Sequence, residues 1–155
     1  MTMCELDTTI MDPKTLVKML FLEKEPSVLS KLECCSDDTC TLSYEDATFE
    51  ITPCLSVHDL HKIGDDFDAI LYDISLDDTP LKTFNQIINR FGETPIIVLT
   101  DTSKSDSTIN ILKHGACDYI FKGFDNYEKV LCRVAHVVEN HKKLNKLRAI
   151  SKSFL

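Results

Sequence analysis

Apolar residues in this 155-residue chain fall into short runs divided by polar turns, and the period of the runs changes along the chain. Thr15–Leu22, Phe67–Asp73 and Pro95–Thr100 are near-continuous apolar stretches of strand length, which suits strands buried on both faces of a sheet. Between Ala47 and Thr52, apolar Ala47, Phe49 and Ile51 alternate with Thr48, Glu50 and Thr52, a strand period. Asp118–Lys122 reads as a fifth strand. Between these runs the spacing shifts to three and four residues. Val28, Leu29 and Leu32 follow Pro26, and Leu60 and Ile63 follow the capping pattern Ser56-Val57-His58-Asp59. Leu81, Phe84, Ile88 and Phe91 precede a helix-stopping Gly92, and Ile109 and Leu112 lead to Gly115. A last helix starts near Asn126 and runs beyond His141. The polar stretch Ser36–Asp46 predicts an enlarged loop, and residues 1–14 are irregular, with Pro13 opposing a helix.

Strand and helix therefore alternate five times, with connections short enough to require right-handed crossovers. That predicts a doubly wound α/β domain with a five-stranded parallel sheet and helices on both faces. In such sheets chemistry sits beyond the carboxyl ends of the strands. Those ends carry Asp73, Thr100, Lys122 and the acidic stretch Glu23-Lys24-Glu25. Singly, each has an ordinary reading: Asp as a turn residue, Thr as a strand terminus, Lys as a solvated side chain. Their convergence on one sheet edge is the stronger signal.

Composition narrows the setting. A formal net charge of -8 disfavours nucleic acid as a partner. No apolar stretch approaches the roughly 20 residues that span a bilayer. The first residues lack a basic-then-apolar signal pattern, so the expected compartment is the cytoplasm. Seven cysteines at irregular spacing argue against a disulfide framework. Cys34, Cys35 and Cys40 cluster without a second ligand pair, so no zinc site is expected. The five histidines show no ligand spacing with acids.

The strand ends, with Phe67–Leu76, Pro95–Thr100 and Gly115–Lys122, resemble the receiver domain of two-component response regulators over about residues 16–140. The resemblance implies a flavodoxin-like fold with strand order 2-1-3-4-5. It implies Asp73 as the phosphoacceptor, Thr100 as the hydroxyl that bonds the phosphoryl oxygen and Lys122 as its counter-charge. Thr100 and Tyr119 would be the switch residues. It implies Mg2+ held by Glu23, Asp73 and the backbone carbonyl of Ser75. A histidine kinase or phosphotransfer protein would donate, and an effector protein would read the result. A carboxylate needs such help because negative charge accumulates as it approaches a phosphoryl group.

The acidic pair of the family is interrupted here: Lys24 stands where the second carboxylate belongs, and an ammonium there opposes Mg2+. The expectation is a stand-alone receiver in phosphorelay signalling that is not an enzyme and is phosphorylated weakly on Asp73. The alternative is a pseudo-receiver acting as a phosphorylation-independent interaction module. A phosphatase of the haloacid dehalogenase type would need a second Asp where this chain has Ser75. The expected organisation is an N-terminal arm over 1–14, the receiver over 15–140 and a helical tail over 141–155. That tail carries Lys142, Lys143, Lys146, Arg148 and Lys152, without acids, beside a broken apolar stripe of Leu144, Leu147 and Ile150. It is either a solvated helix end or a surface that pairs with a second copy or a partner.

Overall fold

The computed structural model describes residues 15–23, 40–44, 46–101, 104–122 and 127–153. The predicted first helix after Pro26, the arm over 1–14, Lys24, Glu25, Cys34 and Cys35 lie outside the described residues.

Strand β1 (Thr15–Leu22) lies inside the sheet because nearly every residue of its inner half is apolar. It pairs in parallel with β3 (Ala47–Cys54) on one side and β4 (Ala69–Asp73) on the other. β5 (Ile96–Thr100) and β6 (Asp118–Phe121) continue the sheet in parallel. The five parallel strands thus run in the expected flavodoxin-like order. One element departs from the sequence expectation. Cys40–Tyr44, inside the stretch read as a loop, forms β2, an edge strand antiparallel to β3. Its alternation of Cys40, Leu42 and Tyr44 with Thr41 and Ser43 is a strand period, hidden in the sequence by polar flanks. Tyr44 pairs with Ala47 across a two-residue connection, the commonest hairpin length.

Alternation along the strands builds two cores. Val17, Met19 and Phe21 of β1, Ala69 and Leu71 of β4, and Ile97 and Leu99 of β5 face a helix, α3 (Tyr127–Ser153), through Val130, Leu131, Val134 and Val138. Leu20, Leu22, Ile70, Tyr72, Ile96 and Val98 face the other way. There they meet α1 (Pro80–Phe91), through Phe84, Ile87 and Phe91, and α2 (Ser105–Lys113), through Ile111. Each fully buried side chain of this size contributes about 1.5–3 kcal/mol.

Three local readings shift. The short helix after Ser56 is a 3-10 helix, Val57–Lys62, begun where the Ser56 hydroxyl accepts from the His58 N–H at 3.2 Å. On α1, Ile87 takes the buried position while Leu81 and Ile88 are only partly buried. On α2, Ile109 is exposed and Ile111 is buried, so the helix turns a different face to the core than the three-residue spacing from Ile109 to Leu112 implied. Gly92 ends α1 with φ of 63°, a left-handed conformation that glycine adopts without strain. No helix among the described residues is long and apolar enough to cross a membrane.

Candidate functional site

The register of the sheet decides which tips meet. Asp73, the last residue of β4, lies beside Leu99 of β5, and Thr100 of β5 lies beside Phe121 of β6. The Lys122 N–H then donates to the Thr100 carbonyl at 2.8 Å, which fixes the lysine just past the end of β6. From there its ammonium crosses the tip of β5 and meets Asp73 Oδ2 at 2.8 Å. The other carboxylate oxygen, Oδ1, accepts from the Ser75 N–H at 2.9 Å and the Ser75 hydroxyl at 2.7 Å. The Asp73 side chain is 7% exposed and that of Lys122 31%. The pair is thus a charge-assisted contact with solvent at the lysine end only. Its arrangement leaves a buried carboxylate oriented by three donors, with a cation that is partly open to solvent.

Thr100 is fully buried at the neighbouring tip. Its hydroxyl is engaged away from Asp73: it lies 2.9 Å from the Thr108 hydroxyl of α2 and 3.2 Å from the Asp101 carbonyl. Glu23 is buried at the end of β1, tied to β3 by its N–H donating to the Cys54 carbonyl at 3.0 Å. Tyr119 sits half-exposed on β6, edge-on to Phe121. The structure therefore joins Asp73, Ser75 and Lys122 directly, sets Thr100 beside them and leaves Tyr119 at the outer edge.

Sequence reasoning missed a second layer. The buried Tyr72 hydroxyl donates to Asp77 Oδ2 in the loop after β4. Asp77 Oδ1 accepts from the Thr79 N–H at 2.9 Å, and the Asp77 carbonyl accepts from Lys104 Nζ at 3.0 Å. A phenol inside an otherwise apolar strand needs a polar partner, and that was the available signal. Burial, and then the bond to Asp77, push the Tyr72 phenol far above its ordinary value. The neutral phenol is thus the form the fold stabilises. This contribution is complete below the ordinary tyrosine value of about 10 and is lost as pH rises beyond it, by up to about 1.4 kcal/mol per pH unit. Tyr72→Phe should accordingly be less stable than the parent at neutral pH, by about 1–3 kcal/mol. The difference should shrink above about pH 10, as read by urea unfolding at a series of pH values. A gap that stays constant with pH would contradict the assignment.

A cavity of about 510 Å3 opens beside Asp73, lined among others by Glu23, His58, Tyr72, Asp77 and Lys82. Glu23 and Asp73 supply two oxygen donors to it. That set fits Mg2+, which uses one or two carboxylates and keeps several waters. Among the described residues no group of three or more His, Cys, Asp or Glu side chains is placed to hold a metal ion. Lys24, which would act against the cation, lies outside them.

The family model described as "Response regulator receiver domain" matches residues 46–134, more than half of the chain. This chain belongs to the response regulator receiver domain family. It is a receiver domain of phosphorelay signalling, a family that acts with histidine kinases or phosphotransfer proteins and generally binds Mg2+ at its phosphorylation site. The sequence match begins after β1, so the first strand and Glu23 are placed by the fold alone. No curated protein sequence matches the chain. Solved structures resemble this receiver in fold. A response regulator receiver domain protein from Clostridium thermocellum is 19% identical, covers 83% of this chain and 98% of its own, and superposes with a TM-score of 0.61. A response regulator receiver protein from Pseudoalteromonas atlantica is 22% identical, with 81% and 98% covered and a TM-score of 0.58. A structure described as adenylate cyclase from Rhodopirellula baltica is 14% identical, with 87% and 96% covered and a TM-score of 0.65.

Proposed function

We propose that this receiver accepts one phosphoryl group on Asp73, slowly, and passes the change to an effector protein without catalytic turnover of its own. The observation that carries the reading is the Asp73 carboxylate held between Lys122 and Ser75. A carboxylate oxygen attacks phosphorus, an O–P bond forms, and the bond from phosphorus to the donor breaks. The electron pair leaves with the donor's nitrogen or acyl oxygen. Negative charge shifts onto the phosphoryl oxygens, and the Lys122 ammonium, partly open to solvent, can follow it from Oδ2. Bound Mg2+ would neutralise part of the same charge, with Glu23 and Asp73 as its protein ligands. Thr100, one strand away, supplies a hydroxyl donor, and Tyr119 offers an aromatic group on the exposed side of β6.

Slow labelling follows from the sequence: Lys24 directly after Glu23 puts an ammonium where a second acid would attract Mg2+. The same residue favours the second reading, a phosphorylation-independent interaction module. Incubation with acetyl phosphate and Mg2+, followed by intact mass, separates them. Slow, partial gain of one phosphoryl group supports the first. Rapid stoichiometric gain would contradict the slow step, and no gain at any concentration would leave only the interaction module.

The proposed compartment is the cytoplasm, in keeping with an odd, irregular cysteine set, and the acidic balance argues against nucleic acid as a partner. Self-association is placed on α3. Beyond His141 every described residue of this helix is exposed, including Leu144, Leu147 and Ile150. Light scattering should show a dimer that Leu147→Glu converts to monomer; a parent that is monomeric at all concentrations would remove the dimer from this account.

A further inference from the structure

At the tip of β5, beside Asp73 and Lys122, two buried threonine hydroxyls, Thr100 and Thr108, meet. Thr108, in the first half of α2, donates its single hydroxyl proton to the Lys104 carbonyl at 2.8 Å. A hydroxyl has one proton and two acceptor positions. Either hydroxyl could donate in the 2.9 Å contact between Thr100 and Thr108; with the Thr108 proton on the Lys104 carbonyl, the donor is Thr100. Its alternative acceptor, the Asp101 carbonyl, is more distant at 3.2 Å. Both hydroxyls are buried, so water cannot substitute for either partner without cost. A phosphoryl group on Asp73 presents only acceptor oxygens at neutral pH, and Thr100 can bond it only by giving up its proton from the bond to Thr108.

We propose that Thr108 is a positioning residue that holds the Thr100 hydroxyl on α2 in the unphosphorylated protein. Phosphorylation is then read first as the release of this bond. The inference rests on the phosphoacceptor reading of Asp73 and adds the element that competes with it. The first turn of α2 would receive the change through the contacts of Thr108 and Lys104. Thr108 back-bonds to Lys104, and the Lys104 ammonium reaches the Asp77 carbonyl at 3.0 Å. Releasing Thr100 from Thr108 thus loosens a helix start that is also anchored to the loop following the acceptor.

Thr108→Val keeps the shape and removes the competing acceptor, and Thr108→Ser restores it. Two readings are taken on each full-length protein: the side-chain rotamer of Thr100 by NMR without phosphodonor, and the phosphorylated fraction at a fixed, sub-saturating acetyl phosphate concentration. The expected result is that Thr108→Val frees Thr100 to a second rotamer and raises the ratio of phosphorylated to unphosphorylated protein by about fivefold. Thr108→Ser should return both to parental values. An unchanged Thr100 rotamer in Thr108→Val overturns the proposal, as does an unchanged ratio in protein that does label. A rotamer shift in protein that never labels would instead remove the phosphoacceptor reading and leave the Thr100–Thr108 contact as a structural tie.

Discussion

Asp73→Asn should abolish acetyl phosphate labelling, with a loss of at least about 100-fold, while the protein stays folded. The amide has the shape of the carboxylate and keeps an oxygen to accept from the Ser75 N–H and hydroxyl, so the turn after β4 survives. What disappears is the nucleophilic anion and the charge that holds Lys122. Because the Lys122 side chain is partly solvated, the freed ammonium can hydrate and should destabilise the fold by no more than about 1 kcal/mol. Intact mass reads the first effect and thermal unfolding the second. Labelling that persists in Asp73→Asn would place the acceptor elsewhere.

Lys122→Met should act through charge at the same spot. With the ammonium gone, charge developing on the transferring phosphoryl group lacks its fixed counter-charge, and the labelling rate should fall by about 100-fold or more. Here the fold should suffer as well. Asp73 is left as a buried carboxylate with hydrogen bonds from Ser75 but no cation, a loss of about 1–2 kcal/mol after allowance for solvent at the lysine. Combining the two substitutions should recover part of that stability, since neither charge then remains without the other. A double variant with the summed loss of both single variants would show that the ion pair is energetically inert.

The sheet was legible because each strand of the parallel core is a dense apolar run, and dense runs alternate faces whatever their neighbours do. Asp73, Thr100 and Lys122 were legible for a related reason: each is the first polar residue after such a run, and the strand order puts them at one edge. Strand β2 was not, because its apolar and polar residues alternate within a polar segment whose average hides the period. Nor was the burial of Ile111 over Ile109, since a helix of nine residues carries too few apolar positions to fix its face. The Tyr72–Asp77 and Thr100–Thr108 bonds depend on where the loop after β4 and the helix α2 lie against the sheet edge, and local sequence does not encode that placement.

Tandem mass spectrometry of the protein digested after acetyl phosphate treatment locates the added group residue by residue. The account predicts a single modified site, the Asp73 carboxylate, in the peptide that contains Leu71-Tyr72-Asp73-Ile74. A phosphoryl group found on any other residue, with Asp73 unmodified, would contradict it.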